Sequence, residues 1–206
     1  DEVIVTARRR AESDQKAAMA LTVIGGGDLD RRNIETVNDL ENAVPSLEVT
    51  SQLGGGQPQF RIRGVGMTDY AANNTSTVGV YIDEVAYPYG SMTQGALFDV
   101  SRIEVLRGPQ GTLYGRNSVG GTINVISRKP TAEFTGEVQA QYGTYDTYGL
   151  KAWVSSPLVQ SGVRASLAAD ISGHDAYRKN VSTGNDLEDG RSRGVRGQVL
   201  VPVGAG

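Results

Sequence analysis

Residues 102–130 read RIEVLRGPQGTLYGRNSVGGTINVISRKP, and this stretch decides what kind of fold the chain can adopt. From Arg102 to Arg107, Ile103 and Val105 alternate with Glu104 and Leu106, the period of a strand with two distinct faces. Gly108-Pro109 stops that strand. Gly111, Gly115, Gly120 and Gly121 then supply a turn-rich hairpin in which the backbone must reach positive φ or pass close to a neighbour. Thr122 to Ser127 is a second β-branched run. A loop that cradles phosphate is the competing reading of so many glycines, but no Gly-Lys-Ser/Thr closes it and no helix pattern follows. The spacing around Ser118 is not that of a strained nucleophile turn, and no general base is arranged beside Ser118, so a hydrolase ranks last among the alternatives.

Composition agrees with a turn-rich, mostly β chain. There are 27 glycines among 206 residues, a content that helical bundles avoid because each interior glycine costs about 1 kcal/mol. The absence of cysteine excludes a disulfide framework, a thiolate metal site and a cysteine nucleophile. A net charge of −3 gives no field able to hold nucleic acid. No run approaches the roughly 18 apolar residues of a membrane helix, although barrel strands carry a far weaker signal. The opening at Asp1 is expected of a chain whose export signal has been removed.

Upstream of residue 102, residues 1–16 are polar apart from the β-branched Val3-Ile4-Val5, which suits a strand seeking a sheet edge. Leu21 to Ile24 reads as a short buried strand, and Asp28 as the N-cap of a brief turn through Arg32. Thr36 with Asp39 makes a capping box ahead of Val37, Leu40 and Val44 on one helical face, ended by Pro45. Strands are expected at Gln59 to Arg63 and at Val78 to Val85, with a polar stretch between them. Together these elements describe an α/β unit whose loops are longer than usual.

Downstream of Pro130 the pattern changes. Phe134, Gly136, Val138, Ala140 and Tyr142 alternate with polar residues, as do Tyr148, Leu150, Ala152 and Val154. Ala165, Leu167, Ala169 and Ile171 follow, and then Val195, Gly197, Val199 and Val201. Four strands with one apolar face result, each near the length of a membrane β-strand. A soluble antiparallel sheet with one wet face alternates in the same way. A ligand-binding or signalling module in water therefore stands beside an incomplete barrel wall. The stretch from Gly173 to Ser192 reads as a long polar loop.

The segment from Ile103 onward resembles the plug domain of TonB-dependent outer-membrane receptors, in its IEVLRGP, LYG and GGTINVISRKP runs. Three more pieces fall in the same order. DEVIVTA at Asp1 to Ala7 resembles the TonB box, FRIRGVG at Phe60 to Gly66 the Ile-Arg-Gly strand, and VGVYIDEV at Val78 to Val85 the Tyr-Ile-Asp-Gly stretch, with Glu84 where glycine is usual. The resemblance implies an α+β plug, a small mixed sheet with short helices and long loops, followed by about four antiparallel strands of an incomplete transmembrane β-barrel. Residues 1–16 would be the TonB box and tether, 17–130 the plug, and 131–206 the first barrel strands. Family barrels have about 22 strands, so a fragment or truncated product is expected.

The same resemblance implies energised uptake of a scarce ligand across the Gram-negative outer membrane, with the plug in the lumen and the N-terminus periplasmic. A ferric siderophore is the default cargo; cobalamin and oligosaccharides remain open. Its partners would be the TonB energising protein of the inner membrane, outer-membrane lipid, and a metal chelate or other small ligand. No nucleic acid, cofactor, metal site or catalytic set is expected. Glu2, Val3, Ile4, Val5, Thr6 and Ala7 would pair with TonB as an added strand. Arg63 and Arg107 match plug arginines that lock to carboxylates of the barrel; here they should find substitutes such as Glu104 or Asp83, or stand exposed. Outward loops at Gly66 to Thr77 and Tyr87 to Met92 would hold ligand through Tyr70, Tyr87 and Tyr89, together with Met67 and Asp69. His174 reads as a solvated loop residue. The acidic groups Asp28 with Asp30, and Asp186, Glu188 and Asp189, read as capping or solvated side chains.

Overall fold

The β-branched runs become sheets, and the helices are limited to one or two turns each. The computed structural model describes residues 4–5, 12–13, 19–51, 57–67, 74–93, 95, 97–158, 162–187 and 189–202. Contacts divide the chain into two units, Asp1–Ser127 and Arg128–Gly206.

In the first unit β1 (Ile4–Val5) pairs antiparallel with β2 (Glu12–Ser13). Next come β3 (Ala20–Gly25), α1 (Gly26–Arg31), a 3₁₀ helix at Val37–Asn42, β4 (Leu47–Thr50), β5 (Gln59–Ile62) and β6 (Val65–Gly66). They are followed by β7 (Val78–Ile82), β8 (Val85–Ala86), a 3₁₀ turn at Gly90–Thr93, β9 (Val100–Arg107), α2 (Gly111–Tyr114) and β10 (Gly121–Ser127). A five-stranded mixed sheet runs β3-β9-β10-β7-β8, with only β10 and β7 parallel. A separate antiparallel sheet runs β4-β5-β6.

The main core lies between these two sheets. Ile103, Val105, Ile123, Val78 and Val80 come from the larger one, Leu47, Phe60 and Ile62 from the smaller, Leu40 from the 3₁₀ helix and Val44 from just beyond its end. Each such side chain contributes roughly 1.5–3 kcal/mol on burial. The other face of β9 is also covered. Leu106 packs there against Met19, Leu21, Val23 and Tyr114, and Glu104 is buried on the same face. Alternation along β9 therefore separates two buried faces rather than a dry one from a wet one. At Gly121, which has φ +151°, the backbone is closely packed, and a Cβ there would lie 2.3 Å from the Leu106 carbonyl oxygen.

Several local expectations need correction. Asp28 is not an N-cap: α1 is capped by Gly25, and Asp28 lies in the first turn, paired with Arg31. The Thr36–Asp39 capping box forms, but it opens a 3₁₀ rather than an α-helix. The expected strand Gln59 to Arg63 forms as β5 and turns into β6, whereas the expected strand Val78 to Val85 is a hairpin of β7 and β8. They break at Arg63-Gly64 and Asp83-Glu84 because all four residues adopt positive φ, the geometry of the two-residue turn that matches strand twist. A helical turn, α2, also closes within the glycine-rich hairpin.

The second unit is a four-stranded antiparallel sheet of β11 (Thr135–Tyr142), β12 (Tyr148–Pro157), β13 (Arg164–His174) and, at its far edge, Gly190–Leu200. Between β13 and that edge strand, β14 (Arg178–Lys179) pairs with β15 (Asp186–Leu187), so the edge strand is β16. The expected loop from Gly173 to Ser192 is therefore shorter than its polarity suggests. The ladder continues to His174↔Gly190 because backbone pairing does not require apolar side chains. Register aligns the apolar positions in rows, among them Val138–Ala152–Ala169–Val195 and Gly136–Val154–Leu167–Gly197. This face is exposed, with Val138 73%, Leu167 53% and Val195 74% accessible. The opposite face carries Trp153, which is buried, with the Arg128 guanidinium 5.0 Å from its ring centre and held by Glu137 at 2.6 Å.

Candidate functional site

One end of the five-stranded sheet gathers most of the candidate residues. The row Ala20–Arg107–Gly121–Val78 marks that end. Arg107 closes β9, half-buried, and its buried Nε has no hydrogen-bond partner. Arg63 sits 44 positions earlier, in the β5–β6 turn, with φ +53° and its backbone N–H donating to the Ser46 carbonyl at 2.9 Å. Arg63 Nη1 lies 3.9 Å from the position a Cβ on Gly108 would occupy. Arg63, from the smaller sheet, thus reaches Gly108, the residue after Arg107. Neither arginine makes an ion pair among the described residues.

Their expected substitutes are engaged elsewhere. Asp83 accepts from the Ser127 backbone N–H at 2.9 Å and from its hydroxyl at 2.6 Å, fastening the β7–β8 turn to the end of β10. Glu104, wholly buried, accepts from Arg102 Nε at 2.7 Å. Sequence reasoning missed this buried pair. Its signal is two opposite charges at i and i+2, hence on one face of a strand that is apolar at both flanks.

The glycine-rich hairpin that follows Arg107 is held by its own hydrogen bonds. Gly108 N–H donates to Gly120 O at 3.0 Å, Gln110 N–H to Ser118 O at 2.8 Å, and Gly120 N–H to Thr77 O at 3.0 Å. Ser118, only 1% exposed, donates its hydroxyl to Gly115 O at 2.6 Å. That bond fixes the hairpin and leaves the hydroxyl facing the turn rather than solvent. Tyr114 braces the hairpin against the sheet. Its hydroxyl accepts from Asn124 Nδ2 at 2.7 Å, its carbonyl accepts from the Tyr81 hydroxyl at 2.6 Å, and the two tyrosine rings lie 5.0 Å apart.

The expected ligand loops meet at the same end, tied by Ser76 N–H donating to Pro88 O at 3.3 Å. Tyr87 is half-buried against the main core, with its N–H on Val80 O at 2.8 Å. Tyr89 is exposed and Met67 half-buried. Gly90 is pressed against Pro58, whose carbonyl oxygen lies 2.2 Å from a hypothetical Cβ. Asp69 and Tyr70 lie outside the described residues, as do Glu2, Val3, Thr6 and Ala7. Ile4 and Val5 pair with Glu12 and Ser13 in an internal two-residue ladder. His174 ends β13 and stacks on Tyr177 at 5.4 Å. No cluster of metal-ligating side chains occurs among the described residues.

Comparison with known proteins matches this arrangement to one family. The family model described as TonB-dependent Receptor Plug Domain matches residues 13–122. The vitamin B12 transporter BtuB of Vibrio vulnificus is 27% identical over 97% of the chain and 32% of its own length. The ferripyoverdine receptor of Pseudomonas aeruginosa is 30% identical over 77% of the chain and 19% of its own length. Among solved structures, the ferric yersiniabactin uptake receptor FyuA of Yersinia pestis superposes with a TM-score of 0.75 at 28% identity, over 89% of the chain and 28% of that structure. The chain thus spans a third or less of the length of these relatives. The plug, with its mixed sheet, its two arginines beside Gly108 and its braced glycine hairpin, is followed by antiparallel strands, and the chain belongs to the family of TonB-dependent receptors.

Proposed function

We propose that the chain forms the N-terminal part of a Gram-negative outer-membrane receptor that takes up a scarce ligand, a ferric siderophore by first preference, when pulled by TonB. Residues 1–16 serve as TonB box and tether, 17–130 as plug, and 131–206 as the first strands of the barrel. The observation that carries this reading is the four-stranded sheet that follows the plug. Its apolar rows are exposed and continuous, a surface that a soluble monomer rarely presents and a lipid-facing wall requires.

The plug's geometry supports a gate worked from its leading end. The tether joins the sheet at Ala20, and Ala20 is the register partner of Arg107. Tension arriving from residues 1–19 therefore loads first the rung that bears Arg107. In the complete receptor Arg107 meets a carboxylate of the barrel, because a guanidinium with a buried, unpartnered Nε is destabilising until an anion is supplied, and the exposed Arg63 meets another from the same corner. Ile4 and Val5 already adopt strand geometry in a ladder only two residues long. They can exchange that weak partner for an added strand of TonB. Tyr89, Met67, Asp69 and Tyr70 contact ligand, and Tyr87 positions the loop from beneath.

The test is uptake of radiolabelled iron by cells that produce the complete receptor. Val5→Pro, which removes a ladder donor from the TonB box, lowers uptake at least tenfold while siderophore binding to the cells is unchanged. Undiminished uptake by this variant would overturn the reading.

A further inference from the structure

The apolar face of the second unit does not stay apolar to its end. Side chains alternate along a strand, so the face of β16 that carries Val195, Gly197 and Val199 also carries Arg191 and Arg193, and all five are exposed. The register places Arg193 opposite Ile171 and Arg191 opposite Gly173. These rows continue through Leu150 to Ala140, and through Tyr148 to Tyr142. Two arginines whose Cα atoms are about 7 Å apart along the strand thus share rows with aliphatic and tyrosine residues. Neither makes an ion pair among the described residues. Directly beyond the Arg193 row lies a shallow, mostly apolar depression of about 340 Å³, lined by Gly136, Val138, Ala152, Val154, Leu167 and Ala169 together with Glu137 and Trp153. Its floor is formed by the small residues of the two adjoining rows.

Unpaired arginines are not what an apolar face needs for stability, and tyrosines in the same row mark the level where lipid meets water. A guanidinium fork matches phosphate oxygens in pairs. We propose that Arg191 and Arg193 hold the phosphate headgroup of an anionic lipid, one of whose acyl chains lies in the depression. Charge complementarity selects an anionic lipid over a zwitterionic one, and the depression selects a lipid over a free anion. The proposal rests on the sheet being membrane wall.

The test uses the complete receptor extracted from outer membranes into mild detergent, with co-purifying lipid quantified by native mass spectrometry. Diphosphoryl lipid A, phosphatidylcholine and inorganic phosphate are the added probes. The double variant R191Q/R193Q retains at least tenfold less lipid A, and R191K/R193K loses less than threefold. Undiminished lipid A in the glutamine variant, equal retention of phosphatidylcholine by the unaltered protein, or inorganic phosphate competing at the same concentration as lipid A would each overturn the proposal. Val199→Cys separates the two failures. If this cysteine in intact membranes resists a water-soluble maleimide, the wall stands and a negative lipid result sinks the headgroup site alone. Free labelling would overturn both.

Discussion

The turn at Asp83-Glu84 offers two neighbouring substitutions with opposite expected signs. Both residues are left-handed, with φ +47° at Asp83 and +69° at Glu84. The equivalent turn between β5 and β6 has the same shape but places Gly64, at φ +78°, where Glu84 stands. A left-handed L-residue is strained by about 1–2 kcal/mol, while glycine gains back about 0.4–1 kcal/mol of unfolded-state entropy. Glu84 is exposed, so Glu84→Gly should stabilise the protein by roughly 0.7 kcal/mol on balance. Asp83 shares the strain but receives two hydrogen bonds from Ser127, at 2.9 and 2.6 Å. Asp83 is itself exposed, so each bond nets about 0.5–1.5 kcal/mol; losing two of them, with the added glycine entropy, outweighs the relieved φ, and Asp83→Gly should destabilise by about 1 kcal/mol. Urea unfolding of the purified protein reads both. At an m-value of roughly 2 kcal/mol/M the Glu84→Gly midpoint rises by about 0.3 M and the Asp83→Gly midpoint falls by about 0.5 M, with m unchanged. A Glu84→Gly midpoint at or below that of the parent would refute the strain argument. Equal shifts of the same sign would refute the role given to Ser127.

Gly121→Ala forces a Cβ to 2.3 Å from the Leu106 carbonyl at φ +151°, and strain with overpacking should cost roughly 2–4 kcal/mol in the same assay. Arg102→Ala strips the guanidinium from a wholly buried Glu104; a loss of about 3 kcal/mol is expected, and Arg102→Lys should restore part of it. Ser118→Ala removes one hydrogen bond to Gly115 and should lower stability by about 1 kcal/mol. A serine-directed fluorophosphonate should leave unaltered Ser118 unlabelled, as mass spectrometry of the treated protein would show.

The second unit was the more legible in sequence. Four runs with a two-residue period put Val138, Leu150, Leu167 and Val195 on one face, and pairing then had little choice of register, since a slip of one residue would turn every apolar side chain over. In the plug, the β-branched run Thr122 to Ser127 and the capping box Thr36–Asp39 were equally readable, because their signals are local. What depends on a distant partner was not. Alternation along β9 could not tell that its second face is covered by Leu21, Val23 and Tyr114, so Glu104 passed for an available anion when it is a buried one. The two turns were hard to read because Arg63 and Glu84 are not residues that favour positive φ. Arg63 and Arg107 were individually recognisable from their motifs. That Arg63 reaches Gly108 depends on how the β5–β6 turn lies, which no spacing encodes.

The account depends most on the second unit standing in lipid with one face outward. A nitroxide scan along β13, one spin label at a time from Arg164 to His174 in the complete receptor within outer-membrane vesicles, measures this most directly. Leu167, Ala169 and Ile171 should collide with dissolved oxygen far more than with a hydrophilic nickel chelate, and Ser166, Ala168 and Asp170 should not, so that accessibility oscillates with a period of two residues. Preferential collision of the nickel chelate at Leu167, Ala169 and Ile171 would place that face in water and contradict the account.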